Sequence, residues 1–346
     1  MNYSRRIPSG RISFIDAWAL HHALRKTISV NYLAPLLSMK RVTLQLASLL
    51  VLVLVCASPV RSIAATPERL SEVKALIDSR QIDRAEKIVV DEMMASPRDA
   101  DWITLLAEVR LGQNRTREAL KLLDDANDIA GVTAAREMLI SLAQSQAGKM
   151  DRAEAPIRTA IRLDPENSTA HYFLSRLLYT DNRFDEAIEE AKKTVALAPS
   201  FVRAYENLGL CYEGKRMLED AERSYRKAIE IESTSDIKTE WPMLDLATML
   251  VHENRQAEAK PLLVQALDIN PNNTATLIQM GSLLEEAGDL KGALDEFRLA
   301  IESDASGQQP GLGAAYYKAA RLCKKLGFND EAKEYFNKFN DLHQKH

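Results

Sequence analysis

From residue 66 onward, apolar side chains recur three and four positions apart, the spacing of helices that bury one face. That pattern is itself periodic. One fixed alanine per block, at Ala85, Ala119, Ala153, Ala187, Ala221, Ala259, Ala293 and Ala332, is separated from the next by 34, 34, 34, 34, 38, 34 and 39 residues. A block of this length holds two amphipathic helices and a turn. Neither helix can bury its apolar stripe alone, so successive blocks must stack.

Setting the fixed alanine at column 20 gives eight units: 66–99, 100–133, 134–167, 168–201, 202–235, 240–273, 274–307 and 313–346. Column 8, where the first helix (A) must approach the second (B), reads Val73, Ala107, Ser141, Ser175, Gly209, Ala247, Gly281 and Ala320, small in seven of eight. Column 24 on helix B is Val89, Leu123, Ile157, Ala191, Tyr225, Leu263, Phe297 and Phe336, and column 27 is alanine in five units. Pro97, Pro165, Pro199 and Pro271 share column 32, where a residue without an N–H ends a helix. In the fifth unit Tyr205, Leu208, Gly209, Tyr212, Ala221, Tyr225 and Ala228 all fall in their columns, and in this the chain resembles the tetratricopeptide repeat (TPR) family. The first unit departs from the pattern, with Arg69 in an apolar column and Glu92 in place of the column-27 alanine.

The resemblance implies an all-α, right-handed superhelical α-solenoid of about eight helix-turn-helix repeats, with the A helices lining a concave groove. Four residues, 236–239, precede the sixth unit and five, 308–312, precede the eighth; both inserts fall between units, where loops are tolerated. Pro156 and Pro261 lie early in B helices and predict slight bending rather than breakage.

One stretch breaks the amphipathic rule. Residues 42–60 carry no charge, with Lys40 and Arg41 before them and Arg61 after. Read from Met39 through Ala65, this is a basic, then apolar, then small-residue series, the three parts of an export signal, with cleavage near Ala64 or Ala65. An uncleaved membrane anchor through 42–60 is the alternative. Both place residues 66–346 outside the cytoplasm, periplasmic or secreted. Cys56 follows Val55 rather than a small residue, which favours an ordinary apolar cysteine over a lipid attachment site. Residues 1–38 form a basic extension of another kind, and Met39 is a second candidate start.

Composition now refines the picture. The 346 residues are 46% apolar and 27% charged, with 13 glycines and 12 prolines, which excludes collagen-like, low-complexity and disordered chains. Length alone suggests two ordinary domains; the periodicity replaces that with one elongated array. Residues 1–65 hold eight basic side chains and one acid, against 37 basic and 48 acidic in 66–346. An acidic array argues against nucleic acid as the partner.

The chemistry of an enzyme is missing from the motifs: no metalloprotease helix, phosphate-binding glycine loop, nucleophile elbow or paired-cysteine signature is present. The histidines, at 21, 22, 171, 252, 343 and 346, are scattered, and the terminal His343/His346 pair is a weak ligand set, so no metal or cofactor is expected. Cys211 and Cys323 occupy buried columns of different units, too far apart for a disulfide. Asn114, Asn167 and Asn272 stand in glycosylation-type triplets at predicted turns, where asparagine is favoured for its own reasons.

These observations predict a non-enzymatic scaffold that binds a protein or extended peptide, serving assembly of an envelope complex; the alternative is an accessory subunit of a polysaccharide synthesis or secretion system whose catalyst is another chain. The resemblance directs columns 2, 5, 9, 12 and 13 into the groove. There Tyr172, Arg176, Tyr179, Arg203 and Glu206 combine aromatic anchors with charged groups suited to a peptide, Trp241 begins an apolar floor, and Tyr317 and Arg321 mark a local basic patch. The third unit offers a bland set, Met138, Leu142, Ser145 and Gln146. The lysine and asparagine columns that clamp cytosolic chaperone tails in some family members are absent.

Overall fold

The computed structural model describes residues 66–235, 238–303 and 311–344. Residues 1–65, with the apolar stretch 42–60, Cys56, His21 and His22, lie outside them, as do Asp236, Ile237, 304–310, Lys345 and His346. The array belongs to one compact unit, Ala64–His346. Among the described residues there are sixteen helices and no strand: α1 (Pro67–Asp78), α2 (Ile82–Ala95), α3 (Ala100–Gly112), α4 (Thr116–Ala130), α5 (Ala134–Gln146), α6 (Met150–Leu163), α7 (Ser168–Thr180), α8 (Phe184–Leu197), α9 (Val202–Gly214), α10 (Leu218–Ser233), α11 (Trp241–His252), α12 (Gln256–Ile269), α13 (Thr274–Glu286), α14 (Leu290–Ser303), α15 (Leu312–Leu326) and α16 (Asn329–Gln344). Odd-numbered helices are the A helices, even-numbered ones the B helices. Each B helix packs on its own A helix and on the next one, which builds a helical solenoid.

Local chemistry fixes where helices start and stop. Thr66, Asp99, Thr133, Asn167 and Asn273 cap A helices, each side-chain oxygen accepting from backbone N–H groups of the first turn. Between A and B, column 15 takes the left-handed conformation in all eight units: Arg80, Asn114, Gly148, Asn182, Arg216, Asn254, Gly288 and Gly327. Asn114 and Asn167 thus have turn and capping roles that account for their presence. Helices α6 and α12 continue through Pro156 and Pro261 without interruption.

Packing between A and B follows a volume rule. The column-20 alanines are all buried, and columns 8 and 24 meet across the hairpin. In the internal units where column 8 is alanine, Ala107 and Ala247, leucine fills column 24 (Leu123, Leu263); in the last unit Ala320 has Phe336 in column 24, which stays half-buried at the end of the array beside Tyr317. Where it is glycine, an aromatic ring does: a Cβ on Gly209 would stand 2.5 Å from the Tyr225 ring, and one on Gly281 2.7 Å from that of Phe297. Serine solves the same problem by hydrogen bonding: Ser141 and Ser175 each donate at 2.8 Å to the carbonyl of their column-20 alanine, Ala153 and Ala187.

The two irregular residues of the first unit satisfy each other. Arg69 donates to Glu92 at 3.1 Å and also pairs with Glu72 at 2.6 Å, at the end of the array where both stay partly solvated.

Ion pairs join the B side of the units two by two. Glu154, Arg158, Arg183 and Glu186 form a four-residue clasp between units three and four, with pair distances of 2.6–3.2 Å. Glu222, Arg226, Arg255 and Glu258 occupy the same columns two units later and close at 2.6–3.8 Å. Arg110 with Glu86 and Glu118 serves the first junction, and Arg298 with Glu331 the last, where Phe328 replaces the column-16 arginine and lies under the Arg298 guanidinium.

Candidate partner-binding groove

Successive A helices adjoin one another along the array, with one exception. At the junction of α5 and α7 that contact weakens, and a cavity of about 280 Å³ opens between them, lined by Ser141, Leu142, Ser145, Phe173, Arg176 and Leu177 among others. The sequence supplies a reason. Helix α5 presents Ser141, Ser145 and Gln146 toward this junction, short or polar side chains that give little apolar area to draw the helices together. Two further cavities, each about 610 Å³, continue the opening across α3 and α1. One involves Met138, Leu139 and Phe173; the other, Ile77, Leu111 and Leu139. Leu142 lines all three.

The rim is charged. Lys74 faces Glu108 at 4.0 Å, and burial pushes the Glu108 carboxyl above the ordinary carboxylate range, with Lys74 opposing the shift. Asp78 and Arg80 border the first-unit end, and Arg176 the fourth-unit end.

The structure distributes the sequence-predicted residues over four units. Tyr172 is only 9% exposed, packed at 5.0 Å against the Phe201 ring and 5.8 Å against Phe173; it fills the junction between units four and five, and an open anchor it is not. Arg176 lies over the Tyr172 ring at 5.8 Å and is the member of the set that borders a cavity of the groove. Tyr179 is half-buried, edge-on to Phe184, and burial raises its phenol pKa. Arg203 and Glu206 stand one turn apart on α9, the first exposed and the second partly buried. Trp241, at the start of α11, is 49% exposed. Tyr317 is 45% exposed beside Phe336 and Phe339, in the last unit. Arg321 is paired with Glu285 at 2.5 Å, which offsets part of the basic patch on α15.

What sequence reasoning passed over is the third unit. Leu139, Leu142 and Phe173 form the apolar floor, and the column map had rated that unit bland because it treats every unit as geometrically equivalent. The available signal was the run of short polar residues on α5.

Family models for the tetratricopeptide repeat match residues 139–200, 176–236 and 313–346. Among curated proteins, the chain is 27% identical over 147 residues to the type IV pilus assembly protein PilF of Pseudomonas aeruginosa, covering 42% of this chain and 57% of that one. It is 28% identical over 135 residues to the Hsp70-Hsp90 organising protein of Plasmodium falciparum, covering 37% and 53%. The chain therefore spans little more than half the length of either relative. Among solved structures, that of Pseudomonas aeruginosa PilF superposes with a TM-score of 0.53 at 21% identity over 61% of this chain and 92% of that one. PilW, described as a type IV pilus biogenesis factor, superposes with a TM-score of 0.52 at 17% identity over 60% and 92%. At these identities the two structures speak for the fold alone. By period, hairpin architecture and family match together, the chain belongs to the tetratricopeptide repeat family.

Proposed function

We propose that this protein is a non-enzymatic scaffold that binds an extended segment of a partner protein in the groove along α1, α3, α5 and α7. The observation that carries the reading is the gap between α5 and α7, with three adjoining cavities that share Leu142. An apolar floor with a charged rim is the usual anatomy of a peptide site: burial supplies affinity, and the rim sets register. Export through residues 39–65 and service in an envelope assembly are part of the proposal. The export signal read in the sequence supports the first, and the likeness to a pilus assembly protein supports the second. Among the described residues no helix is long and apolar enough to cross a membrane.

A photo-cross-linking residue in place of Leu142, in the full chain expressed in its native cell, tests the groove. Light should join it to a defined partner band that is absent when the same residue replaces exposed Lys121 on α4. Equal capture from both positions would refute the assignment.

A further inference from the structure

Several buried or half-buried charges in this array are held by a cation or by amide donors. The B-side clasps pair glutamates with arginines, and Glu240, 7% exposed, accepts from the side-chain amides of Asn270 at 2.9 Å and Asn273 at 2.6 Å. The A helices of units five and six differ. On α9 and α11, which adjoin, Glu206, Glu213 and Asp245 are all partly buried, and among the described residues none has a cation within ion-pair distance. Glu213 accepts the Tyr225 hydroxyl at 3.1 Å; among the described residues none donates a hydrogen bond to Glu206 or Asp245.

A fourth acid belongs to the fifth unit. Glu232 on α10 is only 2% exposed. Its Oε1 accepts from the Thr239 backbone N–H and hydroxyl at 2.8 and 2.7 Å, but its Oε2, fully buried, has no partner. Glu206 and Glu213, seven residues apart, lie on one face of α9, and Asp245 lies on the adjoining α11; the charge of Glu232 reaches Glu206, and those of Glu213 and Asp245 reach the half-buried Tyr179 of α7. Arg203, exposed on α9, is the cation whose field reaches Glu206, and it makes no ion pair. Trapping several carboxylates together without a counter-charge costs stability through desolvation and mutual repulsion. Burial first, then Asp245 and Glu232, pushes Glu206 up to about 7, and burial with Glu213 does the same to Asp245.

We propose that the seam between α9 and α11 is a receptor for one cationic side chain, lysine or arginine, of the bound segment, held by the carboxylates of Glu206, Glu213 and Asp245 with Tyr179 as an aromatic wall. The inference rests on the groove reading and adds the chemistry of the partner. An entering guanidinium or ammonium supplies the donors that the carboxylates lack, and an aromatic face beside it adds cation–π attraction. The excess of acid over base in residues 66–346 steers a basic segment toward the array.

The test uses the full chain and the probe peptide Ala-Ala-Arg-Ala-Ala, a second version carrying lysine, and a neutral control in which citrulline replaces arginine, with affinities read by calorimetry. At pH 8 at least one cationic peptide should bind about tenfold more tightly than the control, a preference that shrinks at pH 6 as Glu206 and Asp245 take up protons. Near pH 7 binding should release protons, seen as a dependence of the heat on the buffer. The near-isosteric pair Glu206→Gln and Asp245→Asn should abolish the preference while circular dichroism shows the helices retained. Equal binding of cationic and neutral peptides, no binding of either cationic peptide, or a preference that survives the double substitution in folded protein would each overturn the inference. Cross-linking at Leu142 that persists alongside any of those results leaves the groove reading standing and removes only this one.

Discussion

Replacing Gly209 by alanine would place a methyl carbon 2.5, 2.7 and 2.8 Å from three carbons of the Tyr225 ring, where ordinary carbon contacts lie near 3.5–4.0 Å. The ring has little room to retreat: it is fully buried, and its hydroxyl is tied to Glu213 across the hairpin. Overpacking of this kind costs about 1–3 kcal/mol. Alanine also returns roughly 0.5–1 kcal/mol of helix propensity in the middle of α9. The expected net loss is therefore about 1–2 kcal/mol, concentrated in the fifth hairpin because a repeat array is stabilised by neighbours. Units two and six show the compensation: Ala107 faces Leu123 and Ala247 faces Leu263, all fully buried. Gly209→Ala combined with Tyr225→Leu should be less damaging than the two single losses added, with a coupling of about 1–2 kcal/mol. Native-state hydrogen exchange of the α9 and α10 amides measures the local opening free energy in all four proteins. If Gly209→Ala slows exchange, as propensity alone dictates, or if the two substitutions simply add, the volume rule for columns 8 and 24 is wrong.

Three further outcomes are expected. Arg183→Met or Arg255→Met, each opening one B-side clasp, should lower the melting temperature by about 1–3 °C at low ionic strength, and added salt should shrink the difference because these groups are solvated. Glu206 and Asp245 have folded-state pKa values raised to about 7, so the folded array binds their protons more tightly than the unfolded chain. The stability they allow is complete below the ordinary carboxylate range and is lost as pH rises through 7. Glu206→Gln with Asp245→Asn should then be more stable than the parent at pH 8, by a few kcal/mol in order of magnitude, in a comparison of urea midpoints, and the gap should narrow at pH 5 and close below about pH 4. Asn207→Ala removes the donor that reaches Ser175 at 2.6 Å across the junction of units four and five, and should cost about 1–2 kcal/mol, read as faster exchange of the α7 and α9 amides.

The periodic sequence by itself determined the helical hairpins, their number and the columns that touch within each. Those features depend on chemistry a few residues to half a unit apart, and the same solution recurs along the array: a left-handed turn residue in all eight units, a small column 8 in seven and a capping side chain on five A helices. Even the first unit, irregular by its columns, conceals a compensation between Arg69 and Glu92 that only their proximity reveals. Tertiary structure decided what varies between units. Tyr172 occupies a groove column yet fills a junction, because Phe201, at the entry to α9, stacks on it. Leu142 looks like an ordinary aliphatic residue yet faces three cavities, because α5 and α7 are not drawn together. Glu206 is a groove-column residue in the sequence, but that it, Glu213 and Asp245 are half-buried without a cation is decided only where α9 and α11 adjoin. A repeat fixes the average junction through local packing. Departures from that average depend on side-chain volumes and charges contributed from adjacent units, and those are summed only when the array is assembled.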